Sequence, residues 1–314
     1  MGSFIIRRLF QTVFVIFLVT IITFSLMHII PGDPAITMLG AEATREEVEA
    51  LRHELWLDRP IYTQYLHWLN NVVHGDFGKS LVYHEDVTLL ISQRVPVTLY
   101  LSIWAFIGSI ILGIIAGIIS AVRRGSWLDN VVTLLANVGV AIPVFWLGIC
   151  GIYLLGLNLG WLPIQGYTSP FVDFSKSMRQ LVMPVICLAF PFMAVMARQT
   201  RSSMLEVIRQ DYIRTALSKG LRERAVVFKH ALKNALIPII TMIGMHVRVL
   251  IGGSVLVETV FNIPGMGRLL VQACFNKDFL IVQSCIIIMS LITCLSNLAV
   301  DISYGWIDPR VRYK

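Results

Sequence analysis

Six long blocks of apolar residues divide the chain, and polar segments separate them. Most blocks are close to the roughly 20 residues that a helix needs to cross a bilayer. Prolines interrupt the third and fourth blocks, which membrane helices tolerate where neighbouring groups satisfy the freed carbonyls. The pattern therefore predicts an all-α, polytopic membrane protein. Its six predicted transmembrane helices are residues 9–30, 97–122, 131–157, 181–197, 237–257 and 279–304.

Two short patterns bear on the first two of these helices. Arg7 and Arg8 precede the first apolar block as in a signal peptide, but the block is too long and no small-residue cleavage site follows it. We therefore predict that it is a transmembrane helix.

In the second helix, Gly113 and Gly117 have the small-xxx-small spacing that lets two helices approach closely. Glycine is also common in membrane helices without this role, so the sequence leaves both interpretations open.

The distribution of charge predicts how the helices are oriented. The chain is 56% hydrophobic and 14% charged, with a formal net charge of +7. Sixteen Lys or Arg residues lie in the two termini and in loops 122–130 and 198–236, whereas the alternate loops hold nine. Because cytoplasmic loops carry the excess of basic residues, both termini are predicted to be cytoplasmic. This rule accounts for the positive charge, so no nucleic-acid partner is predicted.

The loop 31–96, predicted to lie outside the cytoplasm, has a helical pattern of its own. Thr44 followed by Glu47 fits a capping box at the start of one helix. Asp58 is placed to cap a second helix with Pro60 in its first turn. The loop holds ten Asp or Glu and five Lys or Arg, which predicts a small acidic helical cap. The cap is either a lid that packs on the helix bundle or a docking surface.

The sequence GDFGKS at residues 75–80 resembles the end of a phosphate-binding P-loop. A P-loop requires a glycine five positions before its Gly-Lys pair, and Val73 stands there instead. The chain shows no other nucleotide-binding motif. We therefore expect it not to bind ATP, so any ATP-driven transport needs a motor on another chain.

Catalytic and metal-binding sites have characteristic residue spacings. The predicted transmembrane helices hold few candidates for catalysis, and these have no catalytic spacing, so no enzyme activity is predicted; the candidates are Asn137, His246, Arg248, Asn297 and Asp301. The four histidines of loop 31–96 match no usual ligand spacing. Four of the five cysteines lie in apolar segments and none forms a C-x-x-C motif. Neither a metal site nor a disulfide is predicted.

His246 and Arg248 lie in the middle of the fifth predicted transmembrane helix. Burying a charged Arg in lipid costs at least about 2.5–3.5 kcal/mol on insertion scales, so Arg248 is expected to face a polar cavity or a partner. One hypothesis places Arg248 on the translocation path, where it favours anionic groups such as a substrate carboxylate. The alternative is a structural ion pair, with Asp301 as a candidate. For His246, a hydrogen-bonded core histidine is favoured over a path residue.

The most basic run of the chain is "DYIRTALSKGLRERAVVFKHALKNALIPI", residues 211–239. Its periodicity predicts two short helices, and Gly220 is expected to end the first, because glycine is favoured just past a helix end. The second is predicted at about residues 223–236. From the residues alone, this pair is either a compact knob that contacts another protein or an amphipathic pair that lies on anionic lipid.

The same run resembles the signature of the permease subunits of ATP-binding-cassette (ABC) importers. That signature begins Glu-Ala-Ala, has Gly four residues after the last Ala and closes with a hydrophobic-Pro pair. Here it reads Arg214, Thr215, Ala216, Gly220 and then Ile237–Pro238, so Arg replaces Glu. Further similarity to the dipeptide, oligopeptide, glutathione and nickel branch lies in "HIIPGDPA" (28–35), "HGDFGKS" (74–80), "GGSVLVETVFNIPGMGRLL" (252–270) and "VDISYGWIDPRVRY" (300–313).

The resemblance covers essentially the whole chain and implies the type I ABC importer permease fold. The implied organisation is an N-terminal transmembrane helix (1–30), an extracytoplasmic helical loop (31–96), a five-helix core (97–305) with a coupling loop (198–236), and a cytoplasmic tail (306–314). In the family, a glycine-centred helix pair couples the permease to its ATPases. The residues that the resemblance assigns to this coupling are Tyr212, Arg214, Thr215, Ala216, Gly220, His230 and Asn234.

The resemblance also implies the partners and the cargo. Family members lie in the bilayer of the inner membrane beside a second, similar permease. Two ATP-binding subunits, which hold ATP and Mg²⁺, bind on the cytoplasmic side, and an extracytoplasmic substrate-binding protein docks on the other. No cofactor is expected in this chain. The expected substrates are di- or oligopeptides, with nickel or a metal chelate as the alternative; an ATP-independent secondary transporter or channel is less favoured.

Overall fold

A computed structural model describes residues 2–29, 33–40, 42–222 and 225–307, apart from some side chains within the helices. This part of the chain is helical, with a lone β-bridge between Lys79 and Asp86. Its α-helices are α1 (Gly2–Ile29), α2 (Pro34–Leu39), α3 (Arg45–Glu54), α4 (Ile61–Val73), α5 (Val87–Val122), α6 (Trp127–Ala141), α7 (Val144–Gly151), α8 (Phe174–Ile208), α9 (Asp211–Ser218), α10 (Leu232–Val260), α11 (Met266–Phe275) and α12 (Phe279–Ile307). The chain packs as two compact units, residues 1–98 with 264–314, and residues 99–263.

The helices confirm an all-α fold with long apolar elements. Within the described residues, four helices are long and apolar enough to cross a membrane, and the number reaches six if each of two bent helix pairs counts as one span. These six elements correspond in order to the six predicted transmembrane helices. Their boundaries differ, because several helices continue beyond the apolar block into polar sequence.

The third predicted helix is broken at its proline. Helices α6 and α7 meet at Ile142 and Pro143 with a bend of 111°. Ile142 is extended (φ −78°, ψ 128°), as expected for a residue before proline. After α7 the chain continues as a π-helical segment, Ile152–Asn158. The sequence predicted the break at Pro143, but it gave no sign of so sharp a bend.

The fourth predicted helix is much longer than its apolar block. Helix α8 has 35 residues and contains both Pro184 and Pro191. Asp173 caps its start by accepting a hydrogen bond from the backbone N–H of Lys176 at 2.9 Å. Its C-terminal end carries polar and basic residues as far as Ile208. The prediction of a short helix was wrong, because hydropathy alone defined its ends.

Helix α5 lies very close to α8 in the unit formed by residues 99–263. A Cβ atom built on Gly113 would lie 2.5 Å from the Met196 Cβ, and one built on Gly117 would lie 2.5 Å from the Thr200 Cβ. Side chains larger than hydrogen therefore do not fit at either position without movement. The two glycines are confirmed as a close helix contact rather than incidental small residues.

The other unit has a core of its own. The start of α5 packs against α11 and α12 in a buried apolar cluster that includes Leu90, Met266, Leu269 and Ile281. Helix α1 lies along α12, where Arg8 pairs with Asp301 at 3.2 Å.

Short helices α2–α4 form a cap attached to α1. The predicted capping box of Thr44 and Glu47 is present at the start of α3. Asp33 caps α2 and pairs with Arg52 of α3. Burial acts to raise the pKa of Asp33, but the hydrogen bonds from Arg52 and the Ala35 N–H hold that pKa below its ordinary value.

The predicted cap of the next helix was wrong. Helix α4 begins at Ile61, and its N-cap position is Pro60, which makes no side-chain capping bond. Asp58 instead pairs with His53 at 3.4 Å and with Arg59 at 3.7 Å. The helix starts too late for the carboxylate of Asp58 to reach its first N–H groups.

Candidate functional site

Helix α9 begins the segment 211–236, which we call the knob. Its eight residues place Ile213 (1% exposed) and Ala216 (9% exposed) on a buried face. Tyr212, Arg214 and Thr215 are exposed on the other side. This strong amphipathicity fits a short surface helix held by one apolar face.

Gly220 ends the first half of the knob as predicted. Its φ is +78°, a left-handed conformation that glycine adopts with little strain and that commonly closes a helix. A Cβ built there would meet no atom within 4 Å. Backbone conformation, rather than close packing, therefore requires glycine at this position.

The second half of the knob differs from the prediction. A separate short helix was expected near residues 223–236, but a π-helical segment, Val226–Ala231, leads directly into α10. Helix α10 contains Pro238 and continues to Val260. Near this proline, residues 226–236 and 238–244 are bent by 50°, because proline removes one helical hydrogen bond. The knob is thus joined to a transmembrane helix without a loop.

An apolar cluster fixes the knob on the helices behind it. Its buried members are Ala121, Met204, Ile213, Ala216, Val226, Val227, Ala231 and Ala235. They come from the end of α5, the end of α8, α9, the π-helical segment and the start of α10. Both halves of the knob therefore bury apolar side chains in one cluster with the ends of α5 and α8.

The outer surface of the knob carries most of the residues assigned by resemblance. Asn234 donates a hydrogen bond to the Tyr212 hydroxyl at 2.7 Å, which ties the two halves together across Gly220. Arg214 pairs with Asp211 at 3.7 Å, and both side chains are largely exposed. His230 is half-buried, and Ala216 belongs to the buried cluster instead.

Two apolar side chains on this surface were missed from the sequence. Phe228 is 61% exposed and Leu221 is 42% exposed. Phe228 stands between buried Val227 and exposed Lys229. Helical periodicity alone could therefore have predicted that Phe228 is exposed. An exposed aromatic side chain among basic residues is typical of a contact surface.

A buried ion pair behind the knob was also missed. Arg201 of α8 donates to the Asp129 carboxylate at 2.7 and 2.9 Å. Ser120 and the Gly125 N–H donate to the same carboxylate at 2.5 and 2.9 Å, and Asp129 is only 4% exposed. This clasp joins the end of α5, the start of α6 and α8. The only sequence signal was an acid five positions after Arg124, in the polar turn between two apolar blocks.

The two predicted path residues lie on α10. The ring of His246 is half-buried and stands edge-on to Phe192, with the ring centres 5.2 Å apart. The side chain of Arg248 lies outside the described part of the structure. Asp301, the candidate partner for Arg248, pairs with Arg8 at 3.2 Å. The path hypothesis for Arg248 and His246 therefore stays a prediction.

The rejected P-loop motif has a structural role instead. Ser80 donates to the Asp278 carboxylate at 2.6 Å and accepts hydrogen bonds from the N–H groups of Val82 and Tyr83. Ser80 and Asp278 are 1% and 2% exposed, so this is a buried lock between loop 74–86 and the start of α12. Among the residues that the structure describes, no group of three or more His, Cys, Asp or Glu side chains could hold a metal ion.

Comparisons with known proteins agree with this architecture. Residues 109–313 match the family of binding-protein-dependent transport system inner membrane components, and residues 1–102 match the N-terminal region model of the same systems. A crystal structure of an amino acid ABC transporter with histidines aligns with a TM-score of 0.51 and 16% identity, covering 71% of this chain and 94% of that chain. At this identity, the alignment supports the fold alone.

Curated relatives match along their whole length. A probable peptide ABC transporter permease of Sinorhizobium fredii is 42% identical, and a putative peptide transport system permease of Brucella abortus is 44% identical. A glutathione transport system permease of Escherichia coli is 41% identical. Each alignment covers 100% of both chains. The chain is thus a multi-pass inner-membrane transport subunit rather than an enzyme, and it belongs to the family of binding-protein-dependent transport system inner membrane components.

Proposed function

We propose that this permease imports di- or oligopeptides. The observation that supports this substrate is full-length identity of 41–44% to permeases named for peptides and for glutathione. Glutathione is itself a tripeptide, so these names share one chemical class. Nickel and metal chelates remain the competing cargo and serve as a comparison in the experiment below.

The chain works as one part of a larger ABC assembly. The partners we propose are a second, similar permease, two ATP-binding subunits and an extracytoplasmic substrate-binding protein. Two facts support separate ATPases: the sequence lacks a P-loop, and the loop that resembles one is locked by Ser80 and Asp278. In this proposal, ATP and Mg²⁺ are bound by the partner ATPases and not by this chain.

The knob is the element we propose to contact an ATPase. Its outward groups include Tyr212, Arg214, Thr215, Phe228 and Asn234, all exposed. The buried cluster and the Tyr212–Asn234 hydrogen bond make it a firm projection rather than a loose loop. Closure of the ATPase dimer would then displace the knob, and helices α8 and α10 would move with it.

Orientation follows from charge. We propose that both termini and the knob are cytoplasmic, because the basic residues concentrate on that side. The cap of α2–α4 would then face the opposite side, where the substrate-binding protein docks.

Arg248 and His246 are proposed to line the translocation path. The support is energetic, since a charged residue in mid-membrane needs a polar surrounding. Arg248→Ala is expected to reduce peptide uptake, while Arg248→Lys retains more of it because the charge is kept. Wild-type uptake in both variants would exclude a path role for Arg248.

The test of the whole proposal is transport by a reconstituted complex. The two permeases and two ATPases are placed in proteoliposomes with the substrate-binding protein supplied on the outside. We expect uptake of a labelled di- or tripeptide that depends on ATP and on the binding protein. Parallel vesicles receive Ni²⁺ alone or as a chelate. Uptake of nickel without peptide uptake, or peptide uptake that needs no ATPase, would overturn the proposal.

A further inference from the structure

A cleft of about 210 Å³ lies where α3 and α4 meet the C-terminal end of α1 and the N-terminal end of α12. All of its lining residues belong to one packing unit. Pockets for drug-sized ligands begin at roughly 300 Å³, so this cleft suits a smaller molecule, about the size of an amino acid or a dipeptide. None of its lining residues belongs to α10, which carries the proposed path residues Arg248 and His246.

One part of the cleft is apolar and well fixed. Phe24 of α1 and Trp68 of α4 both line it, and their ring centres lie 5.5 Å apart. Phe24 also contacts Tyr65 edge-on at 5.4 Å. Phe77 and Leu280 complete this apolar part. Because these side chains pack on one another, the cleft is preformed and needs little ordering to accept a ligand.

Opposite charges also line the cleft. Glu54 and Lys79 are both exposed lining residues. Among the described residues, neither side chain has a hydrogen bond or an ion pair, and they do not pair with each other. Asp76 also lines the cleft, but its carboxylate already accepts the Gly78 N–H at 2.9 Å. One acid and one base are therefore available to a ligand.

Carboxamide side chains add hydrogen-bonding capacity. Gln64 is fully engaged, with its oxygen near His28 Nε2 at 3.0 Å and its nitrogen donating to the Arg59 carbonyl at 2.7 Å. Gln283 and Asn71 also line the cleft, and Gln283 is 3% exposed. The Gln283 nitrogen donates to the Thr23 carbonyl at 3.4 Å, and the Asn71 nitrogen lies 3.3 Å from His67 Nε2. Each side chain therefore has its carboxamide oxygen left to accept a hydrogen bond from a peptide N–H.

We propose that this cleft binds a short zwitterionic peptide, of dipeptide size, with its ammonium group toward Glu54 and its carboxylate toward Lys79. The inference rests on the proposed peptide transport, because it takes the same substrate class. It adds a second peptide site, in the unit that carries the cap and lined by residues other than Arg248 and His246. Such a site would hold substrate at the permease independently of the substrate-binding protein.

The test measures binding of L-alanyl-L-alanine to the permease–ATPase complex in nanodiscs, without binding protein, by calorimetry. We expect saturable binding that weakens at least tenfold for N-acetyl-alanyl-alanine amide, which lacks both charges. Glu54→Gln and Lys79→Gln should each weaken dialanine binding about fivefold, as expected for partly exposed charge pairs. The matched controls are Glu46→Gln and Lys277→Gln, exposed residues that do not line the cleft; both should bind as wild type.

Four outcomes overturn the proposal, and the first three are no saturable binding, equal binding of the blocked peptide, and equal effects of the cleft and control variants. A fourth is that Glu54→Gln and Lys79→Gln change only the affinity for the substrate-binding protein, which would make the cleft a docking surface. Uptake is measured in parallel with the complete system. Normal ATP-dependent peptide uptake without dialanine binding refutes the cleft alone, whereas absent peptide uptake refutes the proposed transport function.

Discussion

At the scale of single residues, the Asp129–Arg201 clasp is the most consequential contact that the sequence did not predict. The two residues are 72 positions apart, and no local pattern pairs them. The Asp129 carboxylate accepts hydrogen bonds from Ser120, the Gly125 N–H and Arg201 at the same time. A buried carboxylate with this many donors is costly to disturb, because each donor loses its partner at once.

Replacing Asp129 should therefore destabilise the protein. Asp129→Ala is expected to lower the free energy of unfolding by about 3 kcal/mol, which is the lower end of the range for breaking a buried ion pair. The lower end applies because the Arg201 side chain is 31% exposed, so water can partly solvate its charge once Asp129 is removed. Thermal unfolding in detergent measures the change. Asp211→Ala is the control, since Asp211 forms an exposed pair with Arg214 and should change stability by less than about 1 kcal/mol. Similar losses in both variants would contradict a special role for the clasp.

At the scale of elements, the contact of α5 with α8 depends on two glycines. Gly117→Ala places a methyl group 2.6 Å from the Ala197 carbonyl oxygen, so it should destabilise the protein by about 1–3 kcal/mol through overpacking. Gly108→Ala on the same helix meets no atom within 4 Å and should be stabilising by about 0.5–1 kcal/mol. The two Gly→Ala substitutions should therefore shift the melting temperature in opposite directions. Shifts of the same sign would show that α5 and α8 pack less closely at Gly117 than the structure indicates.

The knob gives a second prediction at this scale. Gly220→Pro should abolish the ATP hydrolysis that the loaded binding protein stimulates, because proline fixes φ near −65° and Gly220 has φ +78°. Membrane insertion should be unchanged. Gly220→Asn is the control, since asparagine tolerates this conformation and should retain most of the stimulation. Normal stimulation of the complex with Gly220→Pro would refute a coupling role for the turn.

Short sequence motifs predicted helix starts, breaks and turns well, but they predicted contacts between residues far apart in the chain poorly. The capping box at Thr44, the break at Pro143 and the turn at Gly220 were predictable because each depends on a few neighbouring residues. Helix ends were less predictable: α8 and α10 continue through polar sequence because packing, rather than hydropathy, supports them there. The Ser80–Asp278 lock joins residues 198 positions apart, and the sequence held no signal for it.

At the scale of the whole molecule, the position of the knob determines what it can contact. A knob backed by one apolar cluster and joined to α10 without a loop transmits displacement better than a flexible linker would. This property is useful to an importer only if the knob lies on the side where ATP is hydrolysed. The charge distribution predicts that placement, and the coupling proposal depends on it.

Cysteine labelling measures this topology directly. Cys274 is exposed on α11, in a loop predicted to face outward. A chain that keeps Cys274 alone should react with a membrane-impermeant maleimide in intact spheroplasts. A cysteine-free chain with Lys219→Cys should react only after the membrane is permeabilised. Because partial burial of the thiol raises the pKa of Cys274 and the thiolate is the reactive form, its labelling should speed up as pH rises through the alkaline range. Labelling of Lys219→Cys in intact spheroplasts would invert the topology and remove the knob from the ATPases.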